Sequence, residues 1–560
     1  MLGRPRNVHV LVLIPFVTFG GFPQQALAVL GFSEPVALNS TAGGDGTAAD
    51  NTPDIASDGN GNWVAVWSSF NSLGNTIGTD SDILVSTSTD NGSTWSATEP
   101  LNSNAADDAG SDSNPVVATN GAGVWIATWV TTDSFEDTIG TDGNILFSRS
   151  LDNGATWSEV EFLNSNADSD TGADAMPCIA NDGGLNWIIA WHSNDTLGNT
   201  VGPDNDILFS RSSDGGVTWT NVATLNSNAG TDIGLDANVS VATDKAGNWI
   251  AVWETNDPFG NTVGTDYDIF FARSSNNGQT WSAMAPLNSN AAGDTGNDRS
   301  PRVAADTAGN CVAVWHSNDT LGGTVGSDND IFTTSSSDSG ATWEPVKALN
   351  PNADADTVAD LNASVVSDNA GNWLVVWHGL QTARGGDYDV FASASSNDGA
   401  AWSEVAVLYQ GAEADIGNDR FARTATDGAG NWAVVWESTN SLGNTIGADN
   451  DILISISDAV SVNGLTLLAP NGGERWKHDT KRKILWSTTG NVGERVQLIL
   501  LRNGLFVSQI KAKTKNDGKL NWLVPANAAP GSGYQIRIVS KDDPNISDES
   551  DASFRIKSAE

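Results

Sequence analysis

Ser150-Leu151-Asp152-Asn153-Gly154-Ala155-Thr156-Trp157 is one of several copies of a single pattern. The same S-x-D-x-G-x-T-W runs from Ser88 to Trp95, Ser212 to Trp219 and Ser336 to Trp343. Looser copies end at Trp281, with Asn276 in place of the aspartate, and at Trp402, with Asn397 and Ala401. The closing tryptophans stand 62, 62, 62, 62 and 59 residues apart, so one supersecondary unit is copied along the chain. Within the unit the pattern reads as a hairpin turn. Gly154 can take a positive φ, Ser150 and Asp152 can bond nearby backbone N–H groups, and Trp157 is an apolar anchor for the strand that follows.

Around the turn, each unit spells four strands. In the second unit these are Pro115 to Thr119, Val124 to Val130, Ile145 to Ser150 and Trp157 to Leu163, separated by turns rich in Gly, Asn and Asp. The second strand is apolar on both faces and is bracketed by tryptophans: Trp63/Trp67, Trp125/Trp129, Trp187/Trp191, Trp249/Trp253, Trp373/Trp377 and Trp432/Trp436, with Cys311/Trp315 as a variant. A strand apolar on both faces is buried on both, as stacked blades require. Four-stranded units at this period predict a β-propeller. The seventh unit has its third strand, Asp451 to Ser457, but no turn motif after it. Phe32-Ser33-Glu34 followed by Leu38-Asn39-Ser40 matches Trp157-Ser158-Glu159 followed by Leu163-Asn164-Ser165, so an N-terminal strand is expected to complete the last blade. The expectation is an all-β chain: seven blades closed by that strand.

The turn motif resembles the Asp-box, or BNR repeat, of the sialidase-like β-propeller superfamily, over about residues 29–458. In that resemblance Asp90, Trp95, Asp152, Trp157, Asp214, Trp219, Asp338 and Trp343 are structural. The resemblance implies the fold and not the chemistry, because both enzymes and binding proteins carry the motif. It also implies that any ligand lies at the opposite end of the sheets from the boxes.

Arg4 and Arg6 precede a mostly apolar run from Val10 to Phe22, and Ala26-Leu27-Ala28 offers a cleavage site, so residues 1–28 read as a secretory signal. No later stretch is long and apolar enough to span a membrane. Residues 29–460 form the propeller and residues 461–560 a second domain. The C-terminal segments Ala469 to Trp476, Ile484 to Trp486, Trp522 to Pro525 and Tyr534 to Ile538 alternate like sandwich strands. They resemble the β-sandwich module of the Ser-Thr-rich glycosylphosphatidylinositol-anchored membrane family, which implies a small Ig-like accessory domain.

The chain carries 68 Asp and Glu against 27 Lys and Arg, a net charge of -41. Residues 29–458 hold 58 acidic and 10 basic side chains, whereas residues 459–560 hold 10 and 15. So acidic a propeller disfavours nucleic acid and anionic membranes and attracts cations. Carboxylate pairs close the loop between the second and third strands (the 2–3 loop): Asp80/Asp82, Asp204/Asp206, Asp266/Asp268, Asp328/Asp330, Asp387/Asp389 and Asp449/Asp451, with Asp142/Asn144 as a variant. The loop leading from one unit into the next (the 4–1 loop) carries D-x-x-x-D: Asp108/Asp112, Asp170/Asp174, Asp232/Asp236, Asp294/Asp298, Asp356/Asp360 and Asp415/Asp419. Such oxygens suit calcium, and equally they cap and shape turns. Cys178 and Cys311 fall in separate units and read as buried thiols.

For catalysis, the family resemblance implies an arginine cluster, a Tyr–Glu nucleophile pair and an acid–base Asp. Arg299, Arg302, Arg420 and Arg423 are the cationic candidates, with ion pairing to Asp298 and Asp419 as the plainer role. The residue after each second tryptophan reads Ser68, Val130, His192, Glu254, His316, His378 and Glu437; Glu254 and Glu437 are the acid–base candidates, and local contacts at the end of the sheet are the plainer role. Two functions follow. One is a secreted, monomeric propeller that binds a glycan or an extracellular protein through an acidic, calcium-binding rim. The other is a sialidase-like glycoside hydrolase.

Overall fold

The computed structural model describes residues 31–558. It leaves out residues 45, 136–138, 141, 169–171, 351–352, 355–356, 381–385, 410–411, 413–416, 448, 458–463, 490–491, 494, 542–546 and 551. The signal expected at residues 1–28 therefore lies outside the described residues, as do Asp170, Asp356 and Asp415. The described chain is all-β apart from one short 3-10 turn, Phe259–Asn261. Its described residues divide into two units, one from residue 31 to residue 464 with 488–489 and one comprising most of the C-terminal segment.

The larger unit contains seven antiparallel four-stranded sheets. The first runs β2 (Asp50–Ser57), β3 (Trp63–Ser69), β4 (Asp82–Ser88) and β5 (Glu99–Pro100) in sequence order. Five more repeat it. The last consists of Asp419–Thr426, Trp432–Ser438 and Asp451–Ser457, with β1 (Val36–Ala37) as its outer strand. Val36 pairs with Ile454 and Ala37 with Leu453, and Phe32 makes an isolated bridge to Ser457. The N-terminal strand thus pairs where the repeat pattern placed it, although the ladder is carried by Val36 and Ala37 and not by residues 32–34.

Each second strand is buried along its length, save for partly exposed His192, His316 and Leu380, because each sheet packs on two neighbours. Val64 and Val66 of the first sheet share a core with Trp125, Ala127 and Trp129 of the second. Trp63, Ala65 and Trp67, on the other face, share one with Ala433, Val435 and Ile454 of the last. Cores of this kind join the remaining consecutive sheets too. These repeated sheets fit a propeller.

The box forms the 3–4 turn. Ser150 Oγ donates to Asp152 Oδ1 (2.9 Å) and accepts from the Gly154 N–H (2.9 Å), while Asp152 accepts from the Thr156 N–H (2.9 Å) and hydroxyl (2.7 Å). The Thr218 hydroxyl and N–H hold the equivalent Asp214 carboxyl down at about 2. Gly154 has φ +81°, and a Cβ there would lie 2.6 Å from Val64 of the neighbouring sheet. One expectation needs correction. The fourth strand predicted from Trp157 to Leu163 is only Glu161–Phe162, because the box turn runs to Thr156 and residues 157–160 join no ladder; Trp157 is half-buried and not a fully buried core anchor. Full burial belongs to the second-strand tryptophans, such as Trp125 and Trp129. Cys178 and Cys311 are free thiols.

The smaller unit is a sandwich. A three-stranded sheet (Gly464–Ala469, Lys481–Thr489, Lys519–Leu523) faces a larger one containing Arg495–Arg502 and Gly531–Ser540. Trp476, Ile484, Trp486, Leu498, Ile536 and Phe554 fill its core.

Candidate functional site

Every first strand breaks its ladder at the same place. The register slips between Asn51 and Asp54, Ser113 and Val116, Ala175 and Cys178, Ala237 and Ser240, Arg299 and Arg302, Leu361 and Ser364, and Arg420 and Arg423. These are β-bulges, and a bulge re-aims the side chains beside it. The residue at each bulge is left-handed: Thr52, Asn114, Met176, Asn238, Ser300, Asn362 and Phe421 have φ between 49° and 55°. All seven line one cavity of about 280 Å³, together with Arg302, Arg423 and prolines such as Pro53, Pro115 and Pro177.

Left-handed backbone costs energy in residues such as Met, Phe and Thr, so something must hold it. At five of the seven bulges the residue after the second tryptophan of the preceding sheet does so. Glu254 Oε2 accepts the Ser300 N–H (2.5 Å), and Glu437 Oε2 accepts the Thr52 N–H (3.2 Å). Nδ1 of His192, His316 and His378 accepts the N–H of Asn238, Asn362 and Phe421 at 3.5, 3.4 and 3.3 Å. Burial pushes these imidazoles down, His192 and His316 to about 4 and His378 to about 3, so each is neutral and can accept. Five of the seven positions expected to make local contacts are therefore clamps between adjacent sheets.

The clamps decide the fate of the candidate catalytic groups. Glu254 and Glu437 are engaged with backbone. Arg299 pairs with Glu254 (3.1 Å) and lies 3.7 Å over the Tyr267 ring, and Arg420 lies 4.5 Å over Tyr388. The ion pairs expected with Asp298 and Asp419 do not form among the described residues, because both aspartates are buried at the strand start and accept from Asn288 and Tyr409 instead. Arg302 and Arg423 behave differently. They are brought together in the cavity, and the one hydrogen bond that each guanidinium makes among the described residues goes to its own strand, to the carbonyls of Pro301 (3.3 Å) and Ala422 (3.2 Å). Burial, with Arg302 next, lowers Arg423 to about 9. Asp54 occupies the equivalent place in the first sheet; burial raises it to about 6 even though it accepts the Val117 N–H (2.9 Å). Sequence reading missed Asp54. The signal was available in the repeat alignment, where this position reads Asp54, Val116, Cys178, Ser240, Arg302, Ser364 and Arg423 and is among the least uniform of the first strand.

The acidic loops lie at the end of the sheets where first strands begin. Asp80, Asp82 and Asp108 come together, as do Asp204, Asp206 and Asp232, and Asp266, Asp268 and Asp294. Burial raises Asp206 and Asp268 to about 7. An asparagine ties the loops: Asn226 Nδ2 donates to Asp206 (2.7 Å) and Asp236 (2.7 Å), and Asn350 and Asn39 serve Asp330 (2.7 Å) and Asp451 (2.9 Å) in the same way. In five of the six pairs the first carboxylate is tucked against a glycine two residues before it. A Cβ on Gly202, Gly326 or Gly447 would meet Asp204, Asp328 or Asp449 at 2.3, 2.5 and 2.2 Å. For Asp328/Asp330 the third expected partner, Asp356, lies outside the described residues. The boxes sit at the other end, where the Asn277 and Ser339 N–H groups bond the Gly247 and Gly309 carbonyls of the 1–2 turns.

Residues 140–422 match the BNR repeat-like domain family. The chain belongs to that family. The match bears out the Asp-box resemblance, and within this BNR-repeat protein residues 469–552 also match the Kre9/KNH-like N-terminal Ig-like domain. Among curated proteins, none matches the chain. Among solved structures, the chain is similar to a Hadza microbial sialidase, with 16% identity, 76% of this chain and 68% of that one covered, and a TM-score of 0.42. A leech intramolecular trans-sialidase shows 12% identity, coverage of 76% and 70% and a TM-score of 0.38. A Penicillium chrysogenum α-L-arabinanase shows 13% identity, coverage of 76% and 99% and a TM-score of 0.38. No helix among the described residues is long and apolar enough to cross a membrane.

Proposed function

We propose that this protein is a secreted glycan-binding propeller of seven blades, closed by its N-terminal strand, with residues 29–460 as the binding domain and residues 461–560 as an accessory sandwich. The observation that carries the reading is the cavity into which all seven first strands project. Its lining mixes amide and hydroxyl groups (Asn114, Asn238, Asn362, Thr52, Ser300) with apolar surface (Met176, Phe421 and prolines), which suits the hydroxyls and C–H faces of a sugar. Arg302 and Arg423 make the lining cationic within an acidic domain, so the favoured ligand is a sugar bearing a carboxylate. Binding is preferred to hydrolysis because Glu254 and Glu437 are spent on backbone clamps.

A glycan array covering neutral, uronic and sialic structures tests this. Carboxylated glycans should be retained, and Arg423→Gln should lose them while keeping its melting temperature. Retention of neutral glycans alone, or full binding by a folded Arg302→Gln, Arg423→Gln protein, would overturn the reading. Release of free sugar from a bound glycan would replace binding with the hydrolase alternative.

A further inference from the structure

We propose that Asp204, Asp206 and Asp232 bind a calcium ion, and that Asp80/Asp82/Asp108 and Asp266/Asp268/Asp294 repeat the site. In each group one oxygen from each of the three carboxylates lies within 4.8 Å of the others. Oxygens this close can share one cation, and a site of several carboxylate oxygens on loops suits calcium, a hard ion that takes six to eight oxygen ligands at about 2.3–2.6 Å. The second, independent observation is an unsatisfied buried oxygen. Asp82, Asp206 and Asp268 are at most 1% exposed; Oδ1 of each is taken by Asn102, Asn226 or Asn288, and Oδ2 of each accepts no hydrogen bond. Both oxygens of Asp204 and of Asp232 are likewise buried without a partner. A buried carboxylate oxygen without a donor costs free energy that a cation recovers.

The loops are already held in place for this. The Gly202 N–H bonds the Ala229 carbonyl (3.0 Å), fastening the 2–3 loop to the 4–1 loop, and the Gly78 N–H bonds Ala105 (2.9 Å) in the first group. Among the described residues no ion pair reaches any of the nine aspartates, so no basic side chain competes with an incoming ion. Topology gives the ion its role. Asp204 and Asp206 lead into the third strand of the third sheet, while Asp232 lies on the connection into the fourth sheet, so the ion staples one sheet to the next.

Isothermal titration of the chelator-stripped full-length protein tests the proposal. Calcium should bind with at least three equivalents per chain and raise the melting temperature beyond a sodium chloride control of equal ionic strength. Asp204→Asn with Asp232→Asn should remove one equivalent and leave the others, as should the milder Asp204→Asn alone if the double variant does not fold. The absence of calcium heat from folded wild-type protein would overturn the proposal, as would unchanged stoichiometry in a folded variant. Magnesium binding as tightly as calcium would overturn the assignment of the ion.

Discussion

The clamp made by His378 can be tested through its proton. Its side chain is 3% exposed, Nδ1 accepts the Phe421 N–H at 3.3 Å, and the ring stands edge-on to Tyr388 and Phe421. Burial, then the charges of Arg420, His316 and Arg423, lowers it to about 3 from the ordinary 6.5. The folded protein therefore takes up this proton less readily than the unfolded chain. The resulting stability is fully present above pH 6.5 and is lost as the pH falls through the window toward 3. Between pH 7 and pH 5 the loss from this one group is about 2 kcal/mol. Other titrating groups, the buried aspartates above all, contribute over the same range, so the quantity to measure is a difference between two proteins. Gln in place of His378 keeps an acceptor and does not titrate. Urea unfolding followed by tryptophan fluorescence at both pH values should show His378→Gln losing about 2 kcal/mol less than wild type on acidification. Equal losses in the two proteins would refute the neutral clamp.

Removing residues 29–40 takes away β1, the Leu38 contribution to the core shared by the first and last sheets, and Asn39, which bonds both Asp50 (2.5 Å) and Asp451 (2.9 Å). The melting temperature of the whole propeller should fall, and an unchanged value would contradict closure by this strand. Asp152→Ala should cost about 1 kcal/mol through lost turn bonds, whereas Trp129→Ala, fully buried, should cost about 3–5 kcal/mol. Glycan binding by folded Asp152→Ala should match wild type, since the turn lies at the other end of the sheet; lost binding would reverse the assignment of ends.

The repeat, the strand order and the box turns were legible because each is written locally. Ser150, Asp152, Gly154 and Thr156 bond one another within seven residues, and the Trp125 to Trp129 strand declares its two-sided burial by composition. The site was less legible because its contacts cross from one unit to the next. His316 meets Asn362, Glu254 meets Ser300 and Asp54 meets Val117, pairs that no local pattern connects. The bulges were hidden for another reason. Thr52, Met176 and Phe421 are residue types that argue against left-handed backbone, and at Thr52 and Phe421 a clamp from the neighbouring sheet holds it. The arginines illustrate the same limit: four looked alike in the sequence, but packing commits Arg299 to Glu254 and leaves Arg302 and Arg423 facing the cavity.

The pairing of β1 with the last sheet also sets a schedule for synthesis. Ser33 and Ser455, hydrogen-bonded across this seam, are 422 residues apart. At roughly 5–20 residues per second, β1 waits at least about 20 seconds after leaving the ribosome before its partner strand exists. During that wait the exposed edge of every newly made sheet is open to pairing with another chain. The first sheet, moreover, must hold Trp63 and Trp67 without the neighbour that will cover them. A chaperone that shields these early sheets until the last one emerges should therefore raise the yield of folded protein more than one that acts on the finished chain.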